Sequence, residues 1–229
     1  METRVLQDGS ESFEVSMRGL ETSATTVLFA VGAGGSPERH VTLLDTLAAE
    51  GCLVIAPHFE RLASPVPTEE QLTRRARRLS LTLDALNMAG SVVVGVGHSI
   101  GASTLLAMTG AQMWLGLGKR VRVDLDTRLT KLTLLAPPTG FFRAPGALEA
   151  VRLPVLVLCG SDDSITPPAQ SEWLAENMPD QRYVEVRIIE GAGHFSYMDL
   201  PPPHIVDSMP NKAEFLKEHA MTICDFLLS

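Results

Sequence analysis

The chain alternates short runs that are apolar at nearly every position with longer stretches in which apolar residues recur every three or four positions. The runs at 27–31, 52–56, 91–96, 131–136, 155–159 and 183–189 are mostly apolar throughout, as strands buried on both faces should be. Between them, residues 68–88 carry Leu72, Ala76, Leu79, Leu83 and Leu86 at offsets of 4, 3, 4 and 3, one apolar stripe along a helix. Helices are also predicted over 37–50, 100–115, 168–177 and 212–228. Ahead of the first run, residues 5–7 and 13–17 flank Asp8-Gly9, a pair suited to a turn that needs positive φ, so a hairpin is expected there. Strands alternating with helices predict an α/β three-layer sandwich, a mostly parallel eight-stranded sheet with helices on both faces.

Composition narrows this picture. A chain of 229 residues fits one domain over 1–229, since domains run to roughly 100–200 residues and α/β folds somewhat beyond. Lys and Arg number 19 against 27 Asp and Glu, a net charge of -8, which argues against nucleic acid or an anionic membrane as the main partner. Cys52, Cys159 and Cys224 are far apart in apolar runs and read as reduced core thiols rather than a disulfide frame or metal site. No apolar run approaches the ~18 residues of a membrane span, and the first residues lack the basic and apolar regions of a signal peptide. A cytoplasmic location is therefore expected.

The strongest chemical signal is Gly97-His98-Ser99-Ile100-Gly101, a G-x-S-x-G between a predicted strand and a helix of small residues. A serine on such a turn is held in strained geometry with its hydroxyl above the sheet, and the glycines let neighbouring elements approach. A nucleophilic serine needs a base, and the base an orienting acid. Gly193-His194 follows the run at 183–189, and Asp162-Asp163 follow the run at 155–159, so all three groups fall at the carboxyl edge of the sheet. Their chain order is Ser, Asp, His, the order found in α/β-hydrolases. A tetrahedral intermediate also needs fixed N–H donors. The amide of Ile100, next to the serine, supplies one, and the loop Gly32-Ala33-Gly34-Gly35-Ser36 the other, at Ala33 by position. That glycine-rich loop could instead cradle a phosphate. It has neither the Lys-Ser/Thr of a P-loop nor a G-x-G-x-x-G.

Over nearly its whole length the sequence resembles an α/β-hydrolase. The family's G-x-x-D-x-x-x-P acid loop is matched by Gly160, Asp163 and Pro167, and its G-H base turn by Gly193 and His194. The resemblance therefore assigns Asp163 as the acid, and Asp162 reads as a turn cap. Many members have His-Gly at the start of the oxyanion loop, where this chain has Val31-Gly32. Only residues 137–154 separate the runs at 131–136 and 155–159, where many relatives carry a helical cap, so no large cap domain is expected. The likeness is to small dienelactone-hydrolase-like and carboxylesterase or lysophospholipase-like members. True dienelactone hydrolases use Cys in the elbow, so their substrate is not implied by Ser99. The resemblance implies a serine hydrolase cleaving small or medium acyl esters through an acyl-enzyme, without cofactor or metal. Thioester or amide hydrolysis on the same triad, and a non-catalytic fold-mate that binds a small ligand or a protein, are the rival readings.

Other residues bear weaker expectations. His58 and Arg61, just past the run at 52–56, either face the substrate or are satisfied by local hydrogen bonds. Phe141, Phe142, Phe195, Tyr197 and Met198 either line the pocket or belong to the core. His98 is expected to be a packed neighbour, and His40, His204 and His219 to be surface residues. Arg74, Arg75, Arg77 and Arg78 read as the solvated face of their helix rather than a nucleic-acid patch.

Overall fold

The computed structural model describes residues 2–64, 66–87, 90–116, 118–207 and 209–229. Its centre is an eight-stranded sheet in the order β1-β2-β4-β3-β5-β6-β7-β8. The strands are β1 Glu2–Asp8, β2 Glu11–Arg18, β3 Thr25–Ala30, β4 Leu53–Pro57, β5 Val92–His98, β6 Leu129–Leu135, β7 Val155–Gly160 and β8 Val184–Ile189. β2 runs antiparallel to β1 and β4, and the remaining pairings are parallel. The hairpin turns at Gly9-Ser10, with Asp8 still paired to Glu11 and Gly9 at φ 65.

Successive side chains of a strand point to opposite faces, and the register turns that rule into two cores. Val27, Val54 and Val94 form one row across β3, β4 and β5 and pack with Leu44, Leu47 and Ile223 of α1 (Val41–Ala49) and α5 (Lys212–Leu228). One residue on, Leu28 and Ile55 face the other way, towards α2 (Glu69–Leu86) and α3 (Ile100–Met108), with Leu174 of α4 (Pro168–Asn177) in the same core. Gly95 completes that row because a Cβ there would come 2.6 Å from Leu132 and 3.2 Å from Leu105, so glycine lets α3 lie close to the sheet. β8 departs from the expected double burial. It has a neighbour on one side only, its best-covered positions are half-buried, and an Arg187–Glu185 ion pair of 2.6 Å lies along it. At the opposite edge, Arg4 of β1 pairs with Glu2 and Glu21.

The helices follow the apolar periodicity except at their ends. α2 starts in a capping box, Thr68 Oγ1 accepting from the Gln71 amide at 3.2 Å while Gln71 Oε1 accepts from the Thr68 amide at 2.9 Å. Its predicted last residue, Met88, lies outside the described residues. The stretch at 37–50 divides into a 3-10 turn, Pro37–His40, and α1. α3 is shorter than the predicted 100–115. Gly110 at φ 107 closes it in a Schellman motif, Gly110 N–H donating to Ala107 and Ala111 N–H to Leu106.

Two expectations about charge are corrected. Arg74 and Arg77 are partly exposed, but Arg75 and Arg78 are buried, at 3% and 2% exposure. The β1–β2 hairpin and the loop after β3 cover that side of α2: Arg78 pairs with Asp8 and Glu11, and Arg75 reaches the carbonyls of Val31 and Gly32. His40 and His219 are likewise buried, where α1 and α5 pack together, while His204 is exposed. The three cysteines are buried and free, and burial raises all three thiols, Cys224 to about 12. No helix among the described residues is long and apolar enough to cross a membrane.

Candidate active site

Ser99 sits between the last residue of β5 and the first of α3, at φ 53 and ψ -126. A non-glycine residue there is strained and persists only where its surroundings hold it. The restraints are visible. Ser99 N–H donates to the Leu135 carbonyl at 2.8 Å, tying the turn to β6. A Cβ on Gly97 would meet the Ala102 nitrogen at 2.6 Å, and one on Gly101 the Ala30 carbonyl oxygen at 2.1 Å, so both glycines are sterically required.

Asp163 and His194 come from the loops after β7 and β8, which are laced together. Ser161 and Asp162 amides donate to Ile189 and Ala192 carbonyls, and a Cβ on Gly160 would lie 1.9 Å from the Ala192 oxygen. This contact makes the first glycine of the acid loop a packing requirement. Asp163 is buried, with Oδ1 accepting from the amides of Ile165 (2.8 Å) and Thr166 (2.7 Å) and Oδ2 from the Thr166 hydroxyl (2.7 Å). His194 Nδ1 stands 2.8 Å from Asp163 Oδ2, and its Nε2 stands 3.0 Å from Ser99 Oγ. Burial alone would raise the Asp163 carboxyl. The His194 ring and the Thr166 amide and hydroxyl outweigh it and hold the group below its ordinary range. Ionised Asp163 in turn fixes the proton on Nδ1, leaving Nε2 to face the serine as an acceptor. Asp162 is exposed and takes a 3.2 Å bond from the Ser161 hydroxyl.

Behind His194 lies a column of buried rings. His98 is 5.2 Å away and donates from Nε2 to the His194 carbonyl at 2.9 Å, and His40 follows at 5.1 Å, bonded to the Tyr197 carbonyl. His219 lies 4.9 Å from Tyr197 and stacks on Phe215. Burial pulls His40 down to about 4 and His219 to about 3, and burial with the neighbouring imidazoles pulls His98 well below its ordinary value. These rings are neutral packing groups, as expected for His98 from its place inside the elbow.

A cavity of about 430 Å³ opens over Ser99 and His194. Ala33 and Ile100 line it, as do Arg61 and Phe195. Phe141 and Met198 also line it, whereas Phe142 and Tyr197 are fully buried, so the five aromatic and methionine candidates divide between pocket and core. His58 is outside the lining. Its Nε2 lies 2.8 Å from Ser16 Oγ and 3.4 Å from Glu38, because β2 runs beside the end of β4, which fits the local hydrogen-bonding alternative. The segment 136–154 holds only the short turn Thr139–Phe142 and further turns, with no cap above the cavity. Among the described residues, no three His, Cys, Asp or Glu side chains gather as metal ligands would. Sequence reading missed Thr166, whose position three residues after Asp163 is a turn-capping spacing, and Arg75, which falls between Leu72 and Leu79 on the apolar stripe.

No family model matches the chain, and no curated protein matches it. Solved structures do. An alpha-beta serine hydrolase homologue from Coxiella burnetii is 17% identical, with 97% of this chain and 96% of that chain covered and a TM-score of 0.65. A monoacylglycerol lipase from Paleococcus ferrophilus is 15% identical over 94% of this chain and 98% of that one, TM-score 0.66. The thioesterase domain from the curacin biosynthetic pathway is 12% identical over 96% and 99%, TM-score 0.65. Likeness at such identities is a likeness of fold.

Proposed function

We propose, from the premise that the chain has the α/β-hydrolase fold, that it is a serine hydrolase cleaving small or medium acyl esters through an acyl-enzyme. The observation that carries this reading is the unbroken hydrogen-bonded line Asp163–His194–Ser99, buried at its acid end and open to a cavity at its hydroxyl end. Ser99 Oγ attacks the ester carbonyl while His194 Nε2 takes its proton, and Asp163 steadies the imidazolium that forms. Negative charge develops on the carbonyl oxygen between the amides of Ala33 and Ile100. The Ile100 N–H, at the first residue of α3, has no acceptor in its own helix and is free for this purpose. As the tetrahedral adduct collapses, His194 returns the proton to the leaving alcohol. Water then attacks the acyl-serine with His194 again as base, and as this second adduct collapses the acyl–oxygen bond to Ser99 breaks, His194 returns the proton to Ser99 Oγ and the carboxylic acid leaves. Every participating group lies at one edge of one sheet, so a single domain suffices.

A cavity of about 430 Å³ is at the lower end of the ~300–1,000 Å³ typical of small-molecule pockets and suits short to medium acyl groups. Arg61 and Phe195 are proposed to border the substrate there, as a polar and an apolar contact. The test is labelling by a fluorophosphonate, followed by p-nitrophenyl esters of increasing chain length. Wild-type protein should label at Ser99 and turn over the shorter esters, while Ser99→Ala should neither label nor retain more than about a thousandth of kcat. Folded wild-type protein that does not label would sink the reading. Thioester or anilide turnover without ester turnover would move the substrate class and keep the triad.

A further inference from the structure

Arg75 is a buried cation whose hydrogen bonds all go to main-chain carbonyls, and no carboxylate among the described residues forms an ion pair with it. It lies on α2, yet its Nη2 extends under the loop after β3, 2.6 Å from the Val31 oxygen and 2.7 Å from the Gly32 oxygen. The ring of Phe59 covers the guanidinium at 4.4 Å. Burial lowers its pKa to about 10, with the charge of Glu60, outside ion-pair distance, acting the other way. Arg78, one turn further on, shows how the same helix satisfies a buried cation when only packing is at stake: it pairs with Asp8 and Glu11.

We propose that Arg75 is a positioning residue for the oxyanion site: by holding the Val31 and Gly32 carbonyls it fixes the peptide plane that aims the Ala33 N–H into the cavity. The inference rests on the hydrolase reading above. In a planar trans peptide the C=O and the following N–H point in opposite directions. The Gly32 carbonyl points at Arg75, so the Ala33 N–H on the same peptide points away from it. Ala33 lines the cavity alongside Ser99 and Ile100. The other side of the loop is clamped as well, the Ala33 carbonyl accepting from Leu62 N–H at 2.9 Å and the Gly35 carbonyl from Phe59 N–H at 2.9 Å. Gly32 itself is pressed against the nucleophile, since a Cβ on it would lie 3.1 Å from the His98 ring and 3.5 Å from Ser99 Cβ. A rotation of this one peptide would therefore misdirect a donor beside the reacting atoms. A cation on the carbonyl also polarises the amide and strengthens its N–H as a donor. A carboxylate partner for Arg75 would cancel that polarisation.

The experiment uses the full chain with Arg75→Met and Arg75→Lys. Each folded variant is compared with wild type for kcat and KM on a p-nitrophenyl ester and for affinity towards an alkylboronic acid, which forms a tetrahedral adduct with the serine. Folding is checked by circular dichroism. The expected result is a fall in kcat of about 10- to 100-fold, somewhat less than deleting an oxyanion donor outright. KM should stay within about threefold, and boronate affinity should fall in step with kcat/KM. The pH profile of kcat/KM should keep its shape, because the His194–Asp163 pair is untouched. A kcat within twofold of wild type, a loss confined to KM, or boronate binding unchanged while kcat falls would overturn the proposal. Failure of both variants to fold would assign Arg75 to folding and overturn it too. Absence of wild-type labelling at Ser99, scored before any variant is made, is the separate outcome that counts against the hydrolase reading.

Discussion

Four buried histidines share one packed region, yet only one of them stands between a carboxylate and a hydroxyl. His194 has a carboxylate at one nitrogen and a hydroxyl at the other. His98 and His40 each donate to a carbonyl, and among the described residues His98 Nδ1 and His219 Nε2 have no hydrogen-bond partner. The rings are alike and so is their burial, so the difference lies in what stands beside them. Desolvation drives an imidazole towards neutrality, and only an adjacent carboxylate makes the imidazolium tolerable. The fold thus sets one imidazole between a carboxylate and a hydroxyl, leaves His98 and His40 at successive steps of about 5 Å behind it and His219 beyond Tyr197, with no change of residue type.

The largest expected effect breaks the comparison at its active member. His194→Ala should lower ester kcat by roughly 10³-fold or more while the protein still unfolds cooperatively; retention of activity within tenfold would place the base elsewhere. The next effect falls on the inert rings and is read as stability. Their folded pKa values lie below the ordinary 6.5, so between those values the unfolded chain binds protons that the folded chain refuses. Stability should accordingly be intact near pH 7 and decline as pH falls through 6.5 to 5, by about 2 kcal/mol each for His40 and His219, with His98 acting in the same direction. Urea midpoints at pH 7 and 5 measure it, and equal midpoints would show that the folded rings take up protons over this range as the unfolded ones do. The smallest effect isolates one ring. His219→Phe keeps a stacked ring against Phe215, removes an unpartnered nitrogen, and should shrink the difference between pH 7 and 5 by about one ring's share, roughly 2 kcal/mol, without altering kcat. An unchanged difference would clear His219 of any part in the acid sensitivity.

What the sequence discloses and what it hides follow from how far apart the determining residues lie. Ser99, Asp163 and His194 are legible because each lies in the turn or loop after a strand, in a short motif marked by glycines or a proline. The α2 stripe is legible for the same local reason. Hidden are the features that distant chain imposes. Arg75 and Arg78 look like a solvated face until the β1–β2 hairpin and the loop after β3 close over them. The offsets did contain a hint, since Arg75 lies three residues after Leu72 and four before Leu79. His40 and His219 carry no motif and are buried by distant chain, His40 against Phe29, His98 and the Tyr197 carbonyl and His219 against Tyr197. His58 is turned aside by Ser16 of a strand that pairs antiparallel to β4, a neighbour 42 residues away. The end of α3 is an intermediate case, with Gly110 as a visible stop signal inside a run of small and apolar residues that argues for continuing.

The two outermost strands have a consequence for the molecule among its neighbours. A sheet edge offers unpaired main-chain groups to any other extended chain, and proteins that remain separate must make that offer unattractive. Here both edges carry charge: Arg4 with Glu2 and Glu21 along β1, and Arg187 with Glu185 along β8. A foreign strand laid against either edge would have to strip water from these side chains before gaining a single hydrogen bond. The ion pairs along both rims make a ninth strand a costly addition to either edge.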